Sequence, residues 1–303
     1  VSKQPIKFAF FLLSADDLQN EEKVLELAPE DFALFNPNTQ TCPIFRSRSD
    51  ANLMRKLYQQ APVLINEKTN QNPWGISFKQ GLFNMTSDSH LFRTRKQLET
   101  LGFELHGNIF TQGEQVYLPL YEGKMFYHFN HRWASYEDSK TVNCTEKELQ
   151  DINFVSLPRF WISRSEFLKQ VPEGNKSSFI AFRDIARSID DRTGIFCKIP
   201  NYPVGHTAPI LISITNEQYQ LLLVSNLCSF IWDFCLRNKN GGVHISYFIL
   251  NQMPVFTSEK YSLQIKCFIF PILFELIYTA WDMQLFANQL WQESAPEMRQ
   301  LYL

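Results

Sequence analysis

Residues Tyr117 to Glu137, "YLPLYEGKMFYHFNHRWASYE", limit what this chain can fold into more than any other stretch. Seven of the side chains are aromatic, and Lys124, His128, Asn130, His131 and Arg132 are threaded among them. A pure core segment omits such donors, because a buried donor without an acceptor is costly. A solvated surface omits the rings. The stretch belongs to neither class.

The rest of the composition is that of a globular protein. The chain has 303 residues, 45% of them hydrophobic, and 27 phenylalanines. That is enough for one large or two modest domains with a well-packed interior, and it argues against disorder. A formal net charge of -2 excludes polyanion binding through bulk charge alone. A sequence-reading protein remains compatible with it, because such proteins gather their basic residues on one face.

Cys42, Cys144, Cys197, Cys228, Cys235 and Cys267 include no C-x-x-C pair. They read as reduced, mostly buried thiols of a cytoplasmic protein, without a zinc site or disulfide framework. No stretch reads as membrane-spanning. "CFIFPILFELIY" is interrupted by Pro271 and Glu275, and "IKFAFFLL" reads as a buried strand, not a signal peptide. With Val1 opening on such a strand, the chain reads as a piece of a longer protein.

Local signals predict several elements. "SDANLMRKLYQQA" is helical, with Leu53, Met54, Leu57, Tyr58 and Ala61 at helical spacing after a capping Ser49 or Asp50. Thr145 with Glu148, and Ser163 with Glu166, are capping boxes. "FIAFRDIA" and "TGIFCKIP" read as strands. One long helix is expected from "TNEQ" through "LRNK", ending at Gly241-Gly242, where left-handed backbone angles cost nothing. "VHISYFIL" reads as a strand or short extended segment.

The common catalytic signatures are missing. There is no P-loop, no G-x-G-x-x-G after a strand, no G-x-S-x-G elbow and no H-E-x-x-H. Asn72-Pro73-Trp74 approximates the pattern by which amino-group methyltransferases hold a flipped base, but it lacks the second proline and reads as a turn. No catalytic, cofactor-binding or metal-ligating residue is assigned.

What remains is basic residues clustered beside aromatics: Arg46, Arg48, Arg55 and Lys56; Arg93, Arg95 and Lys96; Lys124, His131 and Arg132; Arg183, Arg187 and Arg192; Arg237, Lys239 and His244. Cations neutralise phosphates, and forked donors read base edges. The alternative is a set of solvated charges, and in "FRDIARSIDDR" an ion-pair ladder answered by Asp184, Asp190 and Asp191.

Several long phrases carry a resemblance: "NPNTQTCPIFRSRSDANLMRKLYQQAPVLI", "NPWGISFKQGLFNMTSDSHLF", "LPRFWISRSEF", "FIAFRDIARSIDDRTGIFCKIPNYPVGHTAPIL", "NKNGGVHISYFILNQMPVF" and "ELIYTAWDMQLFA". Together with the opening stretch, in the same order, they resemble the part that follows the catalytic core in large adenine-N6 DNA methyltransferases. These enzymes belong to restriction-modification systems of the type IIG kind and include solitary relatives. The resemblance implies an α/β (α+β) fold, with a twisted mixed sheet, several helices and a helical tail. It divides the chain into the end of a methyltransferase core with a connecting helix (1–70), a target recognition region (71–256) and a helical tail (257–303).

The resemblance further implies double-stranded DNA and the parent chain's own methyltransferase core as partners. S-adenosylmethionine would be the parent's cofactor, with none held by this fragment, which alone would methylate nothing. Lys124, Asn130, His131 and Arg132 would project toward DNA from an aromatic wall, or else satisfy buried backbone while the rings hold the domain to the core. Arg183, Arg187 and Arg192 would contact phosphates or bases. Lys239, Asn240 and His244, beside Gly241 and Gly242, would approach a phosphate, with a plain helix cap as the other reading. A coupling domain that binds a partner subunit is the non-enzymatic alternative, and a nuclease the enzymatic one, although P-D…[DE]-x-K is not evident.

Overall fold

The computed structural model describes residues 4–172 and 177–302. It has the expected α+β character, with helices accompanying antiparallel sheets. Parallel pairing among the described residues is confined to the bridges Phe83–Gly205 and Tyr121–Val204. No single helix among them is long and apolar enough to cross a membrane.

Two compact units form, and they are not consecutive in sequence. One comprises 1–74, 186–194 and 229–260; the other comprises 75–185, 195–228 and 261–303. This differs from the division into 1–70, 71–256 and 257–303. Long-range backbone pairing is the reason. Leu64 and Ile65 donate to the carbonyls of Met253 and Asn251, Val255 donates to Pro62, and Ala186 donates to Val243.

In the first unit, Ile6–Ala9 pairs antiparallel with Val24–Leu27. Leu25 and Leu27 are buried, but Ile6 is 58% exposed, so the expected buried strand is one side of a two-stranded ribbon. Helix Arg48–Gln60 follows, burying Ala51, Met54 and Tyr58. Its cap is Ser47, whose Oγ accepts from the Asp50 amide at 3.0 Å. The neighbouring Ser49 hydroxyl instead bonds Glu22.

The run expected as one helix is two, Glu217–Leu227 and Phe230–Lys239. Ser229 interrupts it, because its hydroxyl caps the second helix at the Trp232 amide, an alternative that serine offers the backbone readily. That helix ends on Asn240 with φ -84°, and neither Gly241 nor Gly242 has a left-handed backbone. "VHISYFIL" holds a short helix, Tyr247–Asn251, and no strand.

The second unit contains two four-stranded antiparallel sheets. One runs in the order Phe196–Pro200, Ser178–Phe182, Ile210–Ser213, Ile76–Lys79; the other runs Glu104–His106, Ile109–Gln112, Gln115–Pro119, Trp161–Ser163. Every residue of Ser178–Phe182 and Phe196–Pro200 is buried, which is why they read as continuous apolar runs. The one charge in them, Lys198, is buried against Glu217 and Gln220. Helices Leu263–Ile277 and Gln284–Glu293 complete this unit.

Thr145 and Glu148 form the full expected capping box. At Ser163 only the hydroxyl caps, since Glu166 turns to Lys169 at 2.7 Å. Pro73 and Trp74 lie in a turn, as read from the sequence.

Candidate nucleic-acid interface

Strands Ala134–Glu137 and Lys140–Asn143 form a hairpin in the second unit, with Tyr136 opposite Thr141 and Glu137 opposite Lys140. A two-residue turn, Asp138-Ser139, joins them, and Asp138 takes the left-handed φ of 54° that tight hairpins require and aspartate tolerates. The base of the hairpin is fastened to the body of the unit. The Tyr136 amide donates to Leu157, and the Leu157 amide donates back to the Ser135 hydroxyl.

Two clefts, of about 720 and 630 Å³, adjoin this hairpin and share Tyr136, Ser139 and Arg159 as lining. The first adds Glu122, Lys124, Lys140, Arg183 and Thr207; the second adds Arg95, Lys96, Glu137 and Asp138. Six cations and three carboxylates line the two clefts of a chain that is acidic overall, with Arg95 paired to Glu99 and Arg159 to Glu122. Such a trough concentrates positive potential where bulk charge supplies none. Lys96, Lys124 and Lys140 are exposed.

Arg159 is held at the junction. Its Nε and Nη2 donate to the two Glu122 carboxylate oxygens at 3.2 and 2.9 Å. Its guanidinium lies 5.4 Å from the Tyr136 ring centroid and 4.8 Å from that of Phe160. Glu122 is buried, and Tyr136 is pushed up to about 12, first by burial and then by the Glu122 carboxylate. Arg183 donates to the Phe126 carbonyl through Nε and Nη2 and lies 5.1 Å from the Tyr127 ring. Burial lowers its pKa.

Gly123 closes the floor of the first cleft. Its amide donates to the Thr207 hydroxyl at 3.1 Å, and a Cβ there would collide with the Thr207 carbonyl oxygen. Gly123→Ala is expected to destabilise the protein by about 1–3 kcal/mol through overpacking, read as a lower denaturation midpoint.

His131 and Arg132 do not project outward, which corrects their assignment to a DNA-facing wall. His131 Nε2 lies 2.8 Å from Asp282 Oδ1. Arg132 is 1% exposed, and its Nη1 and Nη2 donate to the carbonyls of Asp151, Phe154, Leu149 and Thr279 at 2.7–2.9 Å. Four of its five N–H groups thereby reach backbone carbonyls, and the Nε–H alone has no partner among the described residues. Asn130 is half-buried, and its Oδ1 accepts from the Arg132 amide. Of that group Lys124 alone is exposed.

Arg187, Arg192, Lys239, Asn240 and His244 belong to the first unit. Arg187 forks onto Asp190, the ladder alternative in part. Arg192 lies 4.4 Å from the ring of the exposed Phe230. Asn240 is a buried cap that donates to Ala186 and Gly242 carbonyls. His244 is exposed and, with Lys239 and Asn240, lines a cavity of about 390 Å³.

Lys239 donates to the Phe35 and Gln252 carbonyls and to Asn36, over the Tyr58 ring. Burial pulls it down from 10.5 to about 7. Between those pH values the unfolded chain binds more protons than the native one, so stability rises with pH across that window. Lys239→Met is expected to remove this rise, read as denaturation free energies of both proteins at pH 6.5 and 10.

Of the ten residues named from sequence, His131, Arg132 and Asn240 are buried, and five belong to the first unit. Lys124 and Arg183 meet at the trough, and its key members Glu122, Tyr136, Lys140 and Arg159 were not among the ten. A signal was present in "LPRFW", where an arginine is flanked by proline and aromatics. Its partner lies 37 residues away and is not readable locally. Among the described residues no group of three His, Cys, Asp or Glu side chains could hold a metal ion. No family model and no curated protein matches this chain.

Proposed function

We propose that this chain is the DNA-sequence-recognition part of an S-adenosylmethionine-dependent adenine-N6 DNA methyltransferase, serving a restriction-modification or phage-defence system in the cytoplasm. The observation that carries this reading is the basic trough around the Ala134–Asn143 hairpin, with exposed lysines beside a rigidly held arginine. Free cations suit phosphates, while hydroxyls and a fixed fork suit base edges. The reading also rests on the ordered resemblance of the chain's phrases to the recognition part of those enzymes. Cofactor binding and methyl transfer belong to the catalytic core of the parent polypeptide, because this chain carries neither motif.

Binding of the chain to a mixed-sequence DNA duplex tests the reading. Neutralising about four phosphates predicts an affinity loss on the order of 100-fold between 50 and 200 mM salt. No binding at 50 mM would overturn it and leave a partner-coupling role. Magnesium-dependent cleavage by the chain itself would point to a nuclease instead. For the parent, expression in a host without adenine methylation should leave N6-methyladenine at one recurring sequence.

A further inference from the structure

We infer that Arg159, oriented by Glu122, is a guanine-reading residue of the trough; this rests on the DNA-recognition reading. A guanidinium carries five N–H groups. Glu122 takes the Nε–H and one Nη2–H. The second Nη2–H and both Nη1–H groups remain, and they make no hydrogen bond to any described residue. That remaining edge is an end-on fork, the arrangement that matches the N7 and O6 acceptors of guanine in the major groove.

Charge and rigidity separate this role from phosphate binding. The carboxylate of Glu122 neutralises the Arg159 charge locally, so Arg159 adds little to the attraction of a phosphate. Lys124 and Lys140 make no ion pair with a described residue and keep that task. A base edge is a neutral pair of dipoles, and it is selected by donor geometry more than by net charge. Geometry is what the site fixes: the carboxylate pins one edge of the plane, and Tyr136 and Phe160 lie against the guanidinium. A side chain ordered before binding loses less entropy when the partner arrives. Arg159 also lines both clefts, as does Ser139 of the hairpin turn.

Selection of duplexes from a random pool tests the assignment, using the whole chain and its R159K and E122Q variants. The wild type should enrich a site with guanine at one position. R159K keeps the cation but loses the fork, and E122Q loosens it; each should weaken the preference at that position on the order of ten- to a hundredfold while the other positions stay fixed. An unchanged guanine preference in R159K would overturn the role of Arg159 and leave DNA recognition standing. A wild type that binds no DNA would overturn both. A further measurement needs no variant: 7-deazaguanine at the selected position should weaken wild-type binding tenfold or more. Equal affinity for that duplex would also overturn the assignment.

Discussion

Arg132→Ala is expected to lower the unfolding free energy by about 3–5 kcal/mol, the largest stability effect among the basic residues of the opening stretch. The side chain is buried and is the donor to four carbonyls, those of Leu149, Asp151, Phe154 and Thr279. Truncation leaves those oxygens without their charged donor and opens a void where the guanidinium stood. Chemical denaturation measures the difference. Arg187→Ala is the control: its pair with Asp190 is largely exposed, so less than about 1 kcal/mol is expected. Equal effects at the two positions would refute the carbonyl clamp.

If the chain reads DNA as proposed, the largest effect on binding is expected from removing Lys124 and Lys140 together. Both are exposed on the first cleft. Lys140 is fixed by the hairpin register opposite Glu137, and Lys124 by the turn Gly123–Met125 that Glu122 begins. Each phosphate left without its cation lowers the salt slope by about one. The double alanine variant should therefore lose on the order of 10- to 100-fold in affinity at 50 mM salt, with a slope shallower by about two. Because neither lysine reads a base in this scheme, the preferred sequence should stay the same. A changed preference with an unchanged slope would exchange the roles given to the lysines and to Arg159.

Local chemistry was legible in the sequence, and tertiary pairing was not. Thr145 with Glu148 was readable because both partners of the capping box lie within one turn. The strands around Ile180 and Ile199 were readable because burial on both faces demands an unbroken apolar run. Ser229 was hidden inside an apolar helical run, where one hydroxyl with a free amide ahead of it sufficed to end one helix and start another. Ile6–Ala9 looked buried because apolar strands usually are, but a two-stranded ribbon offers little to cover them.

The trough failed to stand out for a related reason. A sequence displays donors but not the acceptors that use them up. His131 and Arg132 looked available, yet their partners lie as far away as Asp282 and Thr279. Arg159 takes its place only from Glu122, distant in sequence, and from Tyr136 beside it. Burial, not residue type, separates the arginine that holds the unit together from the one assigned to reading bases.

The Arg132 clamp also sets an order of events on the ribosome. Its last carbonyl belongs to a residue 147 positions downstream, and the Asp282 carboxylate that meets His131 is later still. Until that stretch has left the exit tunnel, the nascent second unit holds a guanidinium and an imidazole whose places in the interior are incomplete. Its completion therefore waits for Thr279 and Asp282, and a chain stopped before Thr279 should be a substrate for chaperones and proteases, however complete its sheets.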